Sequence, residues 1–246
     1  MKMHDREVVA LIKGGSNMRN LNDEQSDVDN KIFVLPTFND LYESKVYSKQ
    51  TTSDEVDNDV QDVRRLETLL YKANPAYLDL LFSPEIQTFG YEKIDEIIAM
   101  RDDIANMNLS NLYSATMGTV QRNINDLQNP TSEKVTKLIE RHAYNPKKAM
   151  LVVHLCKVLI KFHANNFTDY KSAIWYEGKE REQMMRLKRG ELSFDAVKAI
   201  IRIYETEAIE LKEVYKSQEL RVDVNKRLQI KLRDLIFDAI QREVIV

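Results

Sequence analysis

Gly14-Gly15-Ser16 and, a short turn later, Asp27-Val28-Asp29 are the residues of this chain whose types and spacing could do chemistry. A strand that ends in Gly-Gly-Ser leaves bare backbone and a hydroxyl facing whatever lies beyond it. Asp27 and Asp29 share one face of the strand they open, because side chains alternate with period two. Phosphate donors beside two hard oxygen ligands for Mg²⁺ or Mn²⁺ are the parts that handle a nucleoside triphosphate.

Both motifs need strands to hold them. The apolar runs Val8-Val9-Ala10-Leu11-Ile12 and Ile32-Phe33-Val34-Leu35 bracket them, so strands are expected over residues 7–12 and 28–35, with a weaker one near 56–63. The polar stretch Ser48 to Asp57 reads as a surface loop. From Val63 the spacing of Leu66, Leu69 and Leu70 is helical, and Pro75 stops that helix by disfavouring helical backbone at Asn74. Ala76 to Phe82 forms a further apolar element, closed by Pro84. Beyond about residue 90 the pattern is helical throughout, as in Leu151, Val152, Leu155, Val158, Leu159 and Phe162. Strands early and helices late give an α+β fold: a small mixed sheet with flanking helices over residues 1–88, then a helical domain over 89–246 packed on it. Lys148 and His154 are the helical residues expected to reach the acid face.

Strand parity sorts the acids. Val28, Ile32 and Val34 share one face, which puts Asp27 and Asp29 opposite the core. Val56 and Val60 likewise leave Asp57 and Asp59 opposite theirs, whereas Asp62 falls with the valines and is expected to cap the next helix.

The 246 residues are 30% charged and 43% hydrophobic, as in ordinary globular protein. Thirty-six Lys+Arg against 39 Asp+Glu give net −3, so no global basic field attracts nucleic acid. The single cysteine, Cys156, excludes an intramolecular disulfide, fits a reducing cytoplasm and falls in an apolar helical run, where a buried, inert thiol is expected. Met1 to Arg6 leads only into a five-residue apolar run, too short for a signal peptide or a membrane span.

Gly15-Ser16, Asn20-Leu21-Asn22 and Ser26-Asp27-Val28-Asp29 together resemble the DNA polymerase beta superfamily of nucleotidyltransferases. They are similar in particular to the bacterial and phage group that opens GS-x-x-x-G-L-N-x-x-x-SD-x-D. Arg64-Arg65-Leu66 and the run Asn74-Pro75 to Phe82 extend the resemblance, with weaker matches at Lys148-Ala149 and Arg189 to Ser193. Asn20 stands where the group has glycine; it is the best other residue for left-handed backbone. Asn30-Lys31 passes into Ile32 one residue early, and the tyrosine expected before the basic helix is missing.

The resemblance implies an NTP-dependent transfer of a nucleotidyl group to an unidentified acceptor, with pyrophosphate released and two Mg²⁺ ions bridging the attacking and leaving oxygens. Asp27 and Asp29 are then metal ligands. Asp59 is the favoured third carboxylate, ahead of Asp57 and Asp62. Gly14, Gly15, Ser16, Arg64 and Arg65 are the expected nucleotide-binding (ATP-binding) groups. Two alternatives stay open: a nucleotide-binding or regulatory module of the same fold without turnover, and an enzyme acting on an RNA end such as that of tRNA. The second draws on the cluster Lys179, Arg181, Arg186, Lys188 and Arg189. Trp175 and Tyr176 read as core and rim, and Lys147, His154 and Lys161 as a charged exterior stripe.

Overall fold

The computed structural model describes residues 1–24, 26–52 and 56–244, and the chain forms two compact units. The first joins Met1–Asn108 to Leu220–Val246; the second is Leu109–Glu219. These bounds fall well beyond the residue-88 boundary expected from the sequence. Two helices after the sheet, and the C-terminal one, share its unit.

The first unit is built on a mixed sheet. Its strands are β1 (Lys2–Met3), β2 (Arg6–Lys13), β3 (Val28–Val34), β4 (Ser48–Thr52), β5 (Val56–Asp62) and β6 (Ile86–Thr88), in the order β1-β2-β3-β5-β4, with β6 also on β2. β3 and β5 run parallel and the other pairs antiparallel. β4 corrects the expected surface loop between Ser48 and Asp57. Every residue of Ser48–Thr52 is exposed, so the strand carries no apolar alternation to betray it. Ser53 to Glu55 lie outside the described residues.

The helices are α1 (Phe38–Tyr42), α2 (Arg65–Tyr71), α3 (Pro75–Leu81), α4 (Glu92–Ala99) and α5 (Arg101–Ala105). Asn74 takes extended backbone before Pro75 and caps α3, accepting from the Ala76 amide. One sheet face packs Val8, Ile32, Val34 and Val60 with Met3, Leu11, Tyr47 and Phe89. On the other, Ala10, Ile12 and Phe33 meet Leu66, Leu80, Leu81, Ile94 and Ile97 around a void of only 10 Å³. Both faces are therefore core, and the acids share a face with Phe33 rather than an open one. The C-terminal helix adds Val224, Leu228, Leu232 and Leu235 to the interior.

An ion pair between β2 and α1 gives a pH signature. Arg6 donates through Nε and a terminal nitrogen to the two oxygens of Asp40, at 2.9 and 2.7 Å. That guanidinium, and the Thr37 cap, hold the Asp40 carboxyl down to about 2. A carboxyl lowered on folding stabilises above its unfolded value near 4, and that contribution fades as pH falls toward 2. Asp40→Asn is therefore expected to cost roughly 2 kcal/mol at neutral pH and less at pH 2. Urea unfolding of both proteins at stepped pH checks it: parallel profiles between pH 4 and 2 would count against the pair.

The second unit is helical: α6 (Leu109–Asn125), α7 (Glu133–His142), α8 (Pro146–Ala164), α9 (Tyr170–Ile174), α10 (Gly178–Arg189), α11 (Phe194–Glu210) and α12 (Lys212–Lys216). α8 is its axis, packed by α6, α9, α10 and α11. Val152, Leu155, Val158, Leu159 and Phe162 are buried on it, as their spacing predicts. Cys156 is fully buried and burial pushes its thiol up to about 12, which makes it inert. No helix among the described residues is long and apolar enough to cross a membrane.

Candidate active site

β2 ends at Lys13, paired with Asn30, and the Gly14 amide continues the ladder by donating to the Asp29 carbonyl at 2.7 Å. Gly15 then turns at φ +62°, opening a 3₁₀ turn over Gly15–Arg19. A Cβ on Gly15 would lie 1.9 Å from Asp29 Oδ2, so the glycine lets backbone rest against the carboxylate. The turn closes on Asn20 in left-handed backbone, φ 57° and ψ 36°, as expected for the residue that replaces the group's glycine. The Leu21 amide donates to the Ser16 carbonyl at 2.9 Å.

A contact that spacing alone did not reveal anchors this turn. Arg19 Nε and its terminal nitrogen donate to Asp79 Oδ2 on α3, at 3.2 and 2.9 Å, with Asp79 1% exposed. A charge pair this deep is costly to break from one side only, so it ties the glycine turn firmly to α3.

The β3–β5 register places the acids. Asp29 stands beside Asp57, and Lys31 beside Asp59. In a parallel pair such neighbours project to the same side. Asp59 Oδ2 is bound by the Lys31 ammonium, and Gln61 Nε2 donates to both Asp59 oxygens at 2.9 and 2.8 Å. Tyr77 in turn donates its hydroxyl to Gln61 Oε1 at 2.6 Å. Asp57 Oδ1 is buried with no hydrogen-bond partner among the described residues. Of the two acids that parity could not separate, Asp57 is the one beside Asp29, and Asp59 is engaged elsewhere.

Asp62 is fully buried where β5 turns into α2 and accepts from the Arg64 amide at 2.9 Å, but Arg64 is itself the N-cap of α2 and no side chain caps that helix, so Asp62 braces the turn instead of capping as expected. It also takes the Arg64 guanidinium at 3.0 and 2.6 Å, and Arg64 reaches the Lys45 carbonyl as well. The side chain expected to hold phosphate thus braces a turn. Arg65 donates to Ser48 Oγ at 3.2 Å. In the second unit, Lys148 pairs with Asp126 at 2.9 Å. His154 is fully buried, its Nδ1 2.9 Å from the Tyr176 hydroxyl, so the exterior stripe is broken at its centre. Neither residue presents itself as a free site group. Tyr176 is core, and half-buried Trp175 carries Lys171 over its ring at 3.8 Å.

A divalent cation suits this arrangement in part. Two carboxylates in register, one with an unpartnered buried oxygen, offer hard anionic donors. Among the described residues no three His, Cys, Asp or Glu side chains converge to enclose an ion, so a nucleotide's oxygens are needed to complete its shell.

Glycine turn, parallel strand pair and acid face lie together in the first unit. Residues 2–234 match the RNA repair pathway DNA polymerase beta family, and the chain belongs to that family. Among solved structures, the chain is similar to a nucleotidyltransferase-like protein from Exiguobacterium sibiricum 255-15, at 12% identity over 95% of this chain and 69% of that one, with a TM-score of 0.28. No curated protein matches it.

Proposed function

We propose that this chain transfers a nucleoside monophosphate from an NTP to an acceptor hydroxyl and releases pyrophosphate. The observation that carries this reading is the in-register pair Asp29 and Asp57 beside a glycine that leaves no room for a side chain. Asp29 and Asp57 hold Mg²⁺ or Mn²⁺ together with the nucleotide's oxygens, Asp57 taking the place of the favoured Asp59. Gly14, Gly15 and Ser16 receive the β- and γ-phosphates, and Arg65 stays available to them as Arg64 does not. When bound, the cation neutralises the triphosphate and lowers the pKa of the attacking hydroxyl. The protein's share is to align attacking and leaving oxygens on a rigid sheet.

The family's description makes RNA ends the first acceptors to try, and the basic run Lys179, Arg181, Arg186, Lys188 and Arg189 suits them. Incubating the protein with each labelled NTP, Mg²⁺ and RNA oligonucleotides of defined ends is expected to give labelled RNA and pyrophosphate, with RNA binding that weakens steeply as salt rises. Labelling of a protein or small molecule in a cell extract, with RNA untouched, would move the acceptor elsewhere. No nucleotide binding by calorimetry and no pyrophosphate from any NTP would remove the reading altogether.

The incomplete cation shell makes a separate prediction. Mg²⁺ is expected to raise the melting temperature only with NTP present, because the aspartates alone hold a hard cation weakly. Strong stabilisation by the metal alone would indicate a structural ion. The lack of three converging carboxylates among the described residues favours one rival, a binding module without turnover. Crystals soaked with Mn²⁺ and a non-hydrolysable NTP separate the two: metal between the carboxylates supports the enzyme, nucleotide without metal the module.

A further inference from the structure

Lys31 lies on the acid face, and the transfer mechanism leaves it without a task. Its ammonium binds Asp59 and stands 5.8 Å from the centroid of the Tyr77 ring. Asp59 is held from its other side by Gln61, and Gln61 by Tyr77 of α3. The chain Lys31–Asp59–Gln61–Tyr77 is satisfied at each link. One register step back, where the side chains on this face recur about every 7 Å, Asp57 keeps a buried oxygen with no partner among the described residues. A hard cation needs anionic oxygens that are not already neutralised, and a carboxylate clasped by an ammonium and an amide offers none.

We propose that Lys31 is a positioning residue that selects the metal-binding carboxylates: by holding Asp59 in its own ion pair it keeps that acid out of the cation's shell and leaves Asp29 with Asp57 as the pair that receives the metal–nucleotide complex. This rests on the nucleotidyl-transfer reading. Removing the charge of Lys31 frees a third anion next to the pair. The cation then binds more tightly but off its productive position, so affinity and turnover move in opposite directions.

The test is calorimetric titration of Mn²⁺ into the full chain with a non-hydrolysable ATP analogue, for the unaltered protein and for Asp29→Asn, Asp57→Asn, Asp59→Asn, Lys31→Met and Lys31→Arg. Asp29→Asn and Asp57→Asn are each expected to weaken Mn²⁺ binding by about tenfold or more, and Asp59→Asn by no more than about threefold. Lys31→Met should tighten Mn²⁺ by about threefold or more while kcat falls with little change in KM. Adding Asp59→Asn to Lys31→Met should return the Mn²⁺ affinity to its starting value, and Lys31→Arg should preserve it.

The role of Lys31 is overturned if Asp59→Asn weakens Mn²⁺ as much as Asp29→Asn does while Asp57→Asn is silent. Should Lys31→Met not fold, that comparison of Asp57 with Asp59 decides by itself. If Asp29→Asn, Asp57→Asn and Asp59→Asn all leave Mn²⁺ binding unchanged, the nucleotidyl-transfer reading fails, and the role of Lys31 with it.

Discussion

Asp29→Asn is expected to lower kcat/KM for nucleotidyl transfer by about 10³-fold, the scale of the several kcal/mol that a metal ion's charge stabilisation is worth in such transfers. The substitution keeps the shape of the side chain and removes the charge that a cation needs. Asp29 Oδ2 lies where only glycine fits opposite it, and the carbonyl of the same residue is bonded to the Gly14 amide at 2.7 Å. The amide leaves that backbone anchor in place, so the thermal midpoint should change little while activity falls. Asp62→Asn is the contrasting case. Asp62 is fully buried and holds the Arg64 guanidinium, so losing its charge strands a cation beside the β5–α2 turn. Its effect should fall on stability, by about 3 kcal/mol, rather than on chemistry. Steady-state kinetics beside thermal melts of both variants separate the roles. Full activity in Asp29→Asn would remove the proposed site.

Parts of this site were legible in the sequence because they obey local rules. Period two alone put Asp29, Asp57 and Asp59 on one side of their strands, and the β3–β5 register bears this out. Asn20 in left-handed backbone followed from the few residues that tolerate it. What stayed hidden depends on partners distant in the chain. Asp57 and Asp59 share a parity, and only Lys31 on the neighbouring strand and Gln61 beside it tell them apart. The Arg19–Asp79 pair spans sixty residues, beyond any spacing rule. The nature of the acid face was also hidden: periodicity shows which residues share a side, not that α3 and α4 cover part of it. His154 failed for a related reason. A seven-residue repeat with Lys147 and Lys161 marks one side of a helix, but α8 is buried on most sides, so that line does not stay at the surface.

Gly15→Ala should cost about 10²-fold or more in kcat/KM, and Gly14→Ala far less, although the sequence presents the two glycines as one motif. A Cβ on Gly15 would stand 1.9 Å from Asp29 Oδ2 and 2.9 Å from its Cγ, distances that no side chain can keep. The backbone there, at φ +62°, already costs a residue with a Cβ about 1 kcal/mol. Neither relief is harmless. If Asp29 rotates away, the carboxylate pair with Asp57 is broken; if the turn shifts, the Gly14–Asp29 anchor and the Arg19–Asp79 clamp oppose it. At Gly14 the same Cβ would meet the Asp29 carbonyl at 3.5 Å and Leu80 Cδ2 at 3.8 Å, ordinary contacts on backbone of φ −98°. The comparison isolates the collision, since both variants add one methyl to the same turn. Calorimetry with the Mn²⁺–nucleotide pair should follow the kinetics, weakened in Gly15→Ala and retained in Gly14→Ala. Equal damage from both substitutions would mean that the turn needs glycine for freedom of backbone alone, and that its approach to Asp29 has no part in the chemistry.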